Sequence, residues 1–343
     1  MTITAAHFDE WYRRIRRAKP FLRWAGGKQP FLMRFPTVIP DFSGKYIEPF
    51  LGSGSVFFHV QRRNVRPCPA ILGDINLQLI DTYLQVRDNP EQIHERLVAL
   101  EAGYLASSDR ARYYYDVRDA YNRKLPSVDA ATFIFLNRTG WNGLYRVNRD
   151  GRYNVPHGQL KSVKGIIPSK EDLINVAAAL FQCQLRAATW ENVLAFGARG
   201  DFAFIDPPYY SDVKIDSTKY RSQQFTLKHH EKLAKFLSAQ AKRGLDFVLT
   251  NSDEAEMVDL YSGYGFDVTK VLIPRFISSR IETRVPTGEI IVRPKGRAPL
   301  MLALSQDGSA GDNELPTNDG SVDDEGEVGT VPMEIEGMSQ VKR

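Results

Sequence analysis

Apolar and polar positions change period in blocks along this chain, and the period outlines the fold. Lys45–Glu48 reads as a short strand stopped by Pro49, and Ser55–Arg62 then carries apolar residues at helical spacing. Ala70–Gly73 is a second short strand, followed by an amphipathic helix from Leu77 to about Arg87. From Pro90 to Arg138 the pattern is helical, with Ile93, Leu97 and Leu100 on one face and a further helix over Val128–Asn137. Strand texture returns at Phe202–Ile205, a helix spans Leu227–Lys242, and Phe247–Thr250 and Ile290–Val292 are later strands. Strands alternating with helices predict an α/β fold, a mostly parallel sheet covered on both faces.

One block breaks the rhythm. Gly140, Asn142, Gly143, Asn148, Asp150, Gly151 and Gly158 punctuate a polar, aromatic stretch that reads as a hairpin with its turn at Arg149-Asp150-Gly151. Helices and hairpin together, residues 90–180, look inserted into a frame made of 20–89 and 181–302. Residues 1–19 form a basic N-terminal arm or short helix.

Composition changes the picture at the C-terminus. Residues 303–343 hold ten of the 41 acids and only two of the 45 lysines and arginines, so the rest of the chain carries a net +12. This acidic tail is rich in Gly and Ser and poor in aromatics, the signature of a disordered segment. A body that basic raises the question of a polyanionic partner, although a solvated basic surface has the same composition. Cys68 and Cys183 stand far apart without Cys-x-x-Cys spacing, which excludes a disulfide framework and a thiolate zinc site and fits a reducing cytoplasm. No His/Cys cluster has metal-ligand spacing, so no metal is expected. No run of apolar residues is long enough for a membrane span. Arg13, Arg14, Arg16, Arg17 and Lys19 are followed by no apolar stretch, so the N-terminus is not a secretory signal.

Three words carry candidate chemistry. Asp206-Pro207-Pro208-Tyr209 follows the apolar strand Phe202–Ile205, and ligands bind at the carboxyl ends of strands in open parallel sheets. The prolines lack N–H donors and leave carbonyls free to accept. A carboxylate, a carbonyl and an aromatic face together can grip an exocyclic amino group while Tyr209 stacks on its ring. The second word, Glu48-Pro49-Phe50-Leu51-Gly52-Ser53-Gly54, turns from strand into helix, its two glycines allowing close approach of a ligand. Bulky Val56–Phe58 replace the third glycine of a dinucleotide fingerprint, which argues against a nicotinamide enzyme. Asp74 ends the next strand, at the distance suited to accepting from ribose hydroxyls. A nucleoside without a diphosphate describes S-adenosylmethionine. The third word, Phe21-Leu22-Arg23-Trp24-Ala25-Gly26-Gly27-Lys28, offers an aromatic wall and an ammonium for a ligand carboxylate.

In this order, the words at Phe21–Lys28, Glu48–Phe58, Asp74 and Asp206–Tyr209 resemble the Dam-type, or D12 class, DNA adenine-N6 methyltransferases, over about Pro20 to Val292. The resemblance implies a Rossmann-like, S-adenosylmethionine-dependent methyltransferase sheet with an inserted target-recognition domain at 90–180. It implies that Trp24 and Lys28 meet the methionine end of the cofactor, Asp74 its ribose, and the loop with Glu48, Phe50, Gly52 and Gly54 its middle. Asp206, with Pro207, Pro208 and Tyr209, would sit between cofactor and a flipped adenine. Arg138-Thr139-Gly140-Trp141-Asn142-Gly143-Leu144-Tyr145-Arg146 resembles the family's DNA-reading hairpin and Asn154-Val155-Pro156 its return strand. Arg138, Trp141, Asn142, Leu144, Arg146, Asn154 and Pro156 are thus the expected contacts to double-stranded DNA. Arg146 suits a guanine edge, and Trp141 and Asn142 the space left by a flipped base.

Two departures stand out. His157-Gly158-Gln159-Leu160 replaces the Phe-Gly, basic residue and Tyr of many relatives, leaving the target sequence open. The closing segment from Phe276-Ile277-Ser278-Ser279 to Glu289 matches loosely. Three alternatives to adenine methylation remain open: transfer to cytosine N4, transfer to a protein amide, and a non-catalytic DNA-binding module. A cognate restriction endonuclease acting on the same site is an open partner.

Overall fold

The computed structural model describes residues 5–64, 67–160, 162, 164–210, 225–273, 287–297, 301–303 and 330–332. Seven strands form one sheet: β1 (Tyr46–Glu48), β2 (Ala70–Asp74), β3 (Cys183–Ala187), β4 (Phe202–Ile205), β5 (Asp246–Ser252), β6 (Asp267–Ile273) and β7 (Thr287–Arg293). Their spatial order is β3-β2-β1-β4-β5-β7-β6. Pairing is parallel from β3 to β5, whereas β7 lies antiparallel between β5 and β6. The chain order reverses between β1 and β4, so their carboxyl ends, Glu48 and Asp206, face the crevice where such sheets bind ligands.

The central strands β1, β2, β4 and β5 are largely apolar because both of their faces are covered. In β4, Phe202 and Phe204 point into one core cluster, while Ala203 and Ile205 point into the other. Tyr46 against Ile47, and Leu72 against Ile71, divide in the same way, as the two-residue period of a strand requires. Helices Trp190–Leu194, Leu227–Lys242 and Ala255–Gly263 supply the second cluster.

The insert occupies the crossover from β2 to β3 with helices Pro90–Ala106, Arg110–Lys124, Ala130–Thr139 and Lys170–Leu180. Its Tyr104, Tyr114, Phe133 and Leu173 belong to the same core cluster as Phe57 and Leu72. The helical part is therefore built into the layer covering the sheet and does not stand apart from it. The hairpin is present, with its arms touching through isolated antiparallel bridges, Gly140 to His157 and Val147 to Tyr153. Its turn closes by Asn148 and Arg152, and Gly151 takes the left-handed backbone (φ +75°) that the sequence reserves for glycine.

Both ends contain regular structure. The basic arm is a docked helix, Ala5–Arg17, with Ile15 and Ala18 fully buried and the Trp11 ring set edge-on against Phe181. The apolar stripe Trp11, Ile15, Ala18 outweighs the charge of the arginines, of which Arg14 pairs with Glu10 and Glu171. Within the acidic tail, Thr330–Pro332 pairs antiparallel with Met301–Ala303, so the tail is not wholly without regular structure. The segment Phe276–Ser279 lies outside the described residues.

Candidate active site

A cleft of about 2350 Å³ opens at the carboxyl ends of β1, β2 and β4. That is more than one small molecule needs, since such sites usually run to roughly 300–1,000 Å³. Trp24, Lys28, Glu48, Phe50, Gly52, Asp74 and Asp206–Tyr209 line one part of it. Leu144 and Asn154 of the hairpin, with Arg118, Asn122 and Arg123 of helix Arg110–Lys124, line another part. Cofactor words and hairpin thus share one continuous space. Gly54, Arg138, Trp141, Asn142, Arg146 and Pro156 are not among its lining residues.

The floor is the glycine loop. Gly52 and Gly54 both have left-handed backbone (φ +49° and +68°), and Gly54 caps helix Ser55–Arg63. A Cβ on Gly52 would lie 3.0 Å from the Trp24 indole, so glycine is required there twice over. Asp74, at the end of β2, accepts the Gly52 N–H at 3.2 Å and the Asn76 N–H at 2.9 Å. Burial raises its carboxyl above the usual range, against those bonds. Phe50 meets Phe225 edge-on at 5.8 Å.

Glu48 is nearly inaccessible (3% exposed) and accepts the Tyr46 hydroxyl at 2.7 Å. Burial pushes its carboxyl up to about 8, opposed by that hydroxyl and reinforced by the nearby Asp206 charge.

Asp206 is held from two sides. Lys28 Nζ lies 2.6 Å from its Oδ2, and the Thr250 hydroxyl donates to its Oδ1 at 2.7 Å. Lys28, expected against a ligand carboxylate, sets its ammonium against Asp206 and 5.0 Å from the centroid of the Tyr209 ring. Tyr209 donates to Glu289 Oε2 at 2.7 Å, and burial with two carboxylates nearby pushes its phenol far above the ordinary range. Trp24, expected at the methionine end, stacks on Tyr145 of the hairpin at 5.5 Å and 19°. Asn137 welds the same two pieces, exchanging hydrogen bonds with the Arg23 backbone at 2.7 and 2.8 Å and reaching the Gly143 carbonyl at 3.3 Å.

The hairpin residues separate into two groups. Arg138 bonds within the chain: its guanidinium donates to the backbone carbonyls of Ile166, Phe21 and Gly165, and burial lowers its pKa to about 10. These bonds tie the hairpin base to the N-terminal loop. Arg146 is oriented by Asn154, whose side-chain and backbone oxygens accept from Nε and Nη2, each at 2.7 Å. Trp141 (46% exposed) and Asn142 (φ +52°) stand out on the surface, and the Trp141 N–H donates to the Pro156 carbonyl. Leu144 is half-buried against the core. His157 fills an aromatic slot, its Nε2 2.7 Å from the Tyr104 hydroxyl and its ring 5.4 Å from Tyr114.

The sequence reading missed Thr250, Glu289 and Asn137, and did not foresee the stacking of Tyr145 on Trp24. Only the polar ending of an otherwise apolar strand, Thr250-Asn251-Ser252 after Phe247–Leu249, hinted at the first.

A seven-stranded sheet of this order, with a carboxylate, two prolines and a tyrosine at the crevice, defines a Rossmann-like methyltransferase. The family model of the D12 class N6 adenine-specific DNA methyltransferases matches residues 24–272, and the chain belongs to that family. It is 35% identical over 280 residues to the type II methyltransferase M.MjaIII of Methanocaldococcus jannaschii, covering 78% of this chain and 95% of that protein. It is 31% identical over 283 residues to the DNA adenine methylase of Escherichia coli (strain K12), covering 81% and 95%. The DNA N-6-adenine-methyltransferase of Escherichia phage P1 is 29% identical over 280 residues, 79% of this chain and 35% of that protein. The chain is accordingly an adenine-specific DNA methyltransferase, which resolves the cytosine, amide and non-catalytic alternatives. No described helix is long and apolar enough to cross a membrane.

Proposed function

We propose that this enzyme takes its methyl group from S-adenosylmethionine and delivers it to N6 of an adenine flipped out of duplex DNA at a specific sequence. The carrying observation is the Asp206 carboxylate, held by Thr250 and Lys28 at the crevice end of β4 beside Pro207 and Pro208. The donor fits the residues present: Gly52 lines the cleft without a side chain, and Asp74 offers acceptors at its edge. Trp24, Glu48, Phe50, Gly52, Gly54 and Asp74 are the residues to hold it. S-adenosylmethionine supplies a methyl already activated on a sulfonium.

The difficulty lies in the nucleophile, because the amino lone pair of adenine is delocalised into its ring. Asp206 and the Pro207 carbonyl accept the two N–H bonds, which favours a pyramidal nitrogen with its lone pair free. Tyr209 stacks on the ring, and Asp206 stabilises the positive charge arriving on N6. The surplus proton leaves to Asp206 or to water. Extrusion of the base is supported by the cleft's size and by the exposure of Trp141 and Asn142 on the hairpin.

Asp206→Asn tests the reading. An amide offers one acceptor and presents donors to the substrate amine, so methyl incorporation should fall by orders of magnitude while folding and DNA binding persist. Near-wild-type turnover would remove Asp206 from the mechanism.

A further inference from the structure

We propose that Thr250 is a positioning residue for methyl transfer, the first member of a three-residue clamp by which β5 holds the Asp206–Tyr210 segment in its working shape. The inference rests on the reading of Asp206 as the group that grips the substrate amine.

Three successive side chains of β5 reach this segment. The Thr250 hydroxyl donates to Asp206 Oδ1 at 2.7 Å. The Asn251 side-chain carbonyl accepts the Tyr210 N–H at 3.0 Å, and the Ser252 hydroxyl donates to the Tyr210 carbonyl at 2.8 Å. Thr250 and Asn251 are fully buried (0% exposed). The segment needs such outside help. β4 pairs with β5 only as far as Ile205 opposite Leu249, and Pro207 and Pro208 have no N–H with which to extend that pairing. Side chains of the neighbouring strand replace the missing backbone bonds, one at the start of the segment and two at its end.

Acceptor bookkeeping on Asp206 shows what Thr250 does. A carboxylate has about four acceptor sites on its two oxygens. Lys28 takes one on Oδ2 and Thr250 one on Oδ1, leaving a site on each oxygen for an amine. Without the hydroxyl, nothing stops Oδ1 from turning toward the ammonium as well, since chelation of Lys28 by both oxygens is electrostatically favoured. The carboxylate plane then rotates and its remaining lone pairs leave the N–H directions. Substrate binding survives such a rotation; the aligned reactive geometry does not.

Thr250→Val keeps the buried volume and removes the donor, and Thr250→Ser keeps the donor. The full-length enzymes are assayed with tritiated S-adenosylmethionine and genomic DNA lacking adenine methylation. The Val variant should lose roughly ten- to a hundredfold in kcat, the range for one hydrogen bond to a charged group, with KM for both substrates little changed. The Ser variant should stay close to wild type. Normal turnover in the Val variant, a loss confined to KM, or equal damage in the Ser variant each overturns the proposal. If the Val variant does not melt cooperatively, Thr250→Ala set against Thr250→Ser isolates the hydroxyl in the same way. Asp206→Asn, measured alongside, separates the two readings. Normal turnover there defeats the role of Asp206, whereas an inactive Asn variant beside a fully active Val variant defeats only the clamp. Adding Thr250→Val to Asp206→Asn should cost nothing further.

Discussion

Lys28 Nζ stands 2.6 Å from Asp206 Oδ2, joining the loop before the sheet to the crevice end of its fourth strand. The lysine side chain is only 8% exposed and its backbone N–H is fixed on the Ser55 hydroxyl at 3.1 Å, so the ammonium has little freedom to seek another partner. A buried ammonium pairing a half-buried carboxylate costs desolvation that geometry must offset, and here both groups make further bonds.

A ligand-facing lysine and a lysine that orients Asp206 respond differently to removal. Lys28→Met should lower single-turnover methyl transfer on the order of ten- to a hundredfold while cofactor affinity, read by calorimetric titration, changes much less. If affinity collapses and the bound complex still reacts at the normal rate, the ammonium serves the cofactor and not Asp206.

Glu48 makes stability depend on pH. Its carboxyl is raised from the ordinary 4.5 to about 8, chiefly by burial. Between those values the native state holds a proton that the unfolded chain has released, so this group's contribution falls as pH rises, by at most about 1.4 kcal/mol per pH unit. The contribution is complete below pH 4.5 and lost above about 8. Glu48→Gln keeps the shape, can still accept from Tyr46, and cannot ionise. Its melting temperature should gain on the wild type between pH 6 and pH 9. A constant difference across that range would mean that Glu48 does not titrate there.

How much of this was readable in advance follows burial. Strand Phe202–Ile205 and helix Leu227–Lys242 have the bounds read from the sequence, because one is apolar at every position and the other carries a clean buried stripe. The two edge strands were not seen. Cys183–Ala187 and Asp267–Ile273 have one neighbour each, bury few of their positions, and mix polar residues accordingly. The site divided in the same way. Words local in sequence gave the glycine loop, Asp74 and Asp206–Tyr209, but the bonds from Thr250 to Asp206 and from Glu289 to Tyr209 span 44 and 80 residues. No spacing rule encodes such a contact. Arg138 is a similar case: it stands beside the hairpin in sequence, in the last turn of helix Ala130–Thr139, yet its guanidinium reaches three backbone carbonyls far along the chain.

That difference between two arginines gives the last prediction. Arg138→Ala leaves three carbonyls without their donor and should destabilise the fold by about 2–4 kcal/mol, with base discrimination unchanged once the folded fraction is corrected for. Arg146 keeps three of its five N–H donors after serving Asn154, including those on the end-on edge formed by its two terminal nitrogens. That edge matches O6 and N7 of guanine. Arg146→Ala should therefore cost ~1–3 kcal/mol at one guanine-containing position of the methylated site and little elsewhere. Asn154→Ala should reproduce part of the loss, because the fork would no longer be held in place. Methylation of the preferred site against its single-base variants, at two salt concentrations, separates reader from clamp. A uniform loss on every sequence, with the salt slope reduced by about one unit, would assign Arg146 to the phosphate backbone and leave Leu144 and Tyr145 as the hairpin's candidates for reading bases.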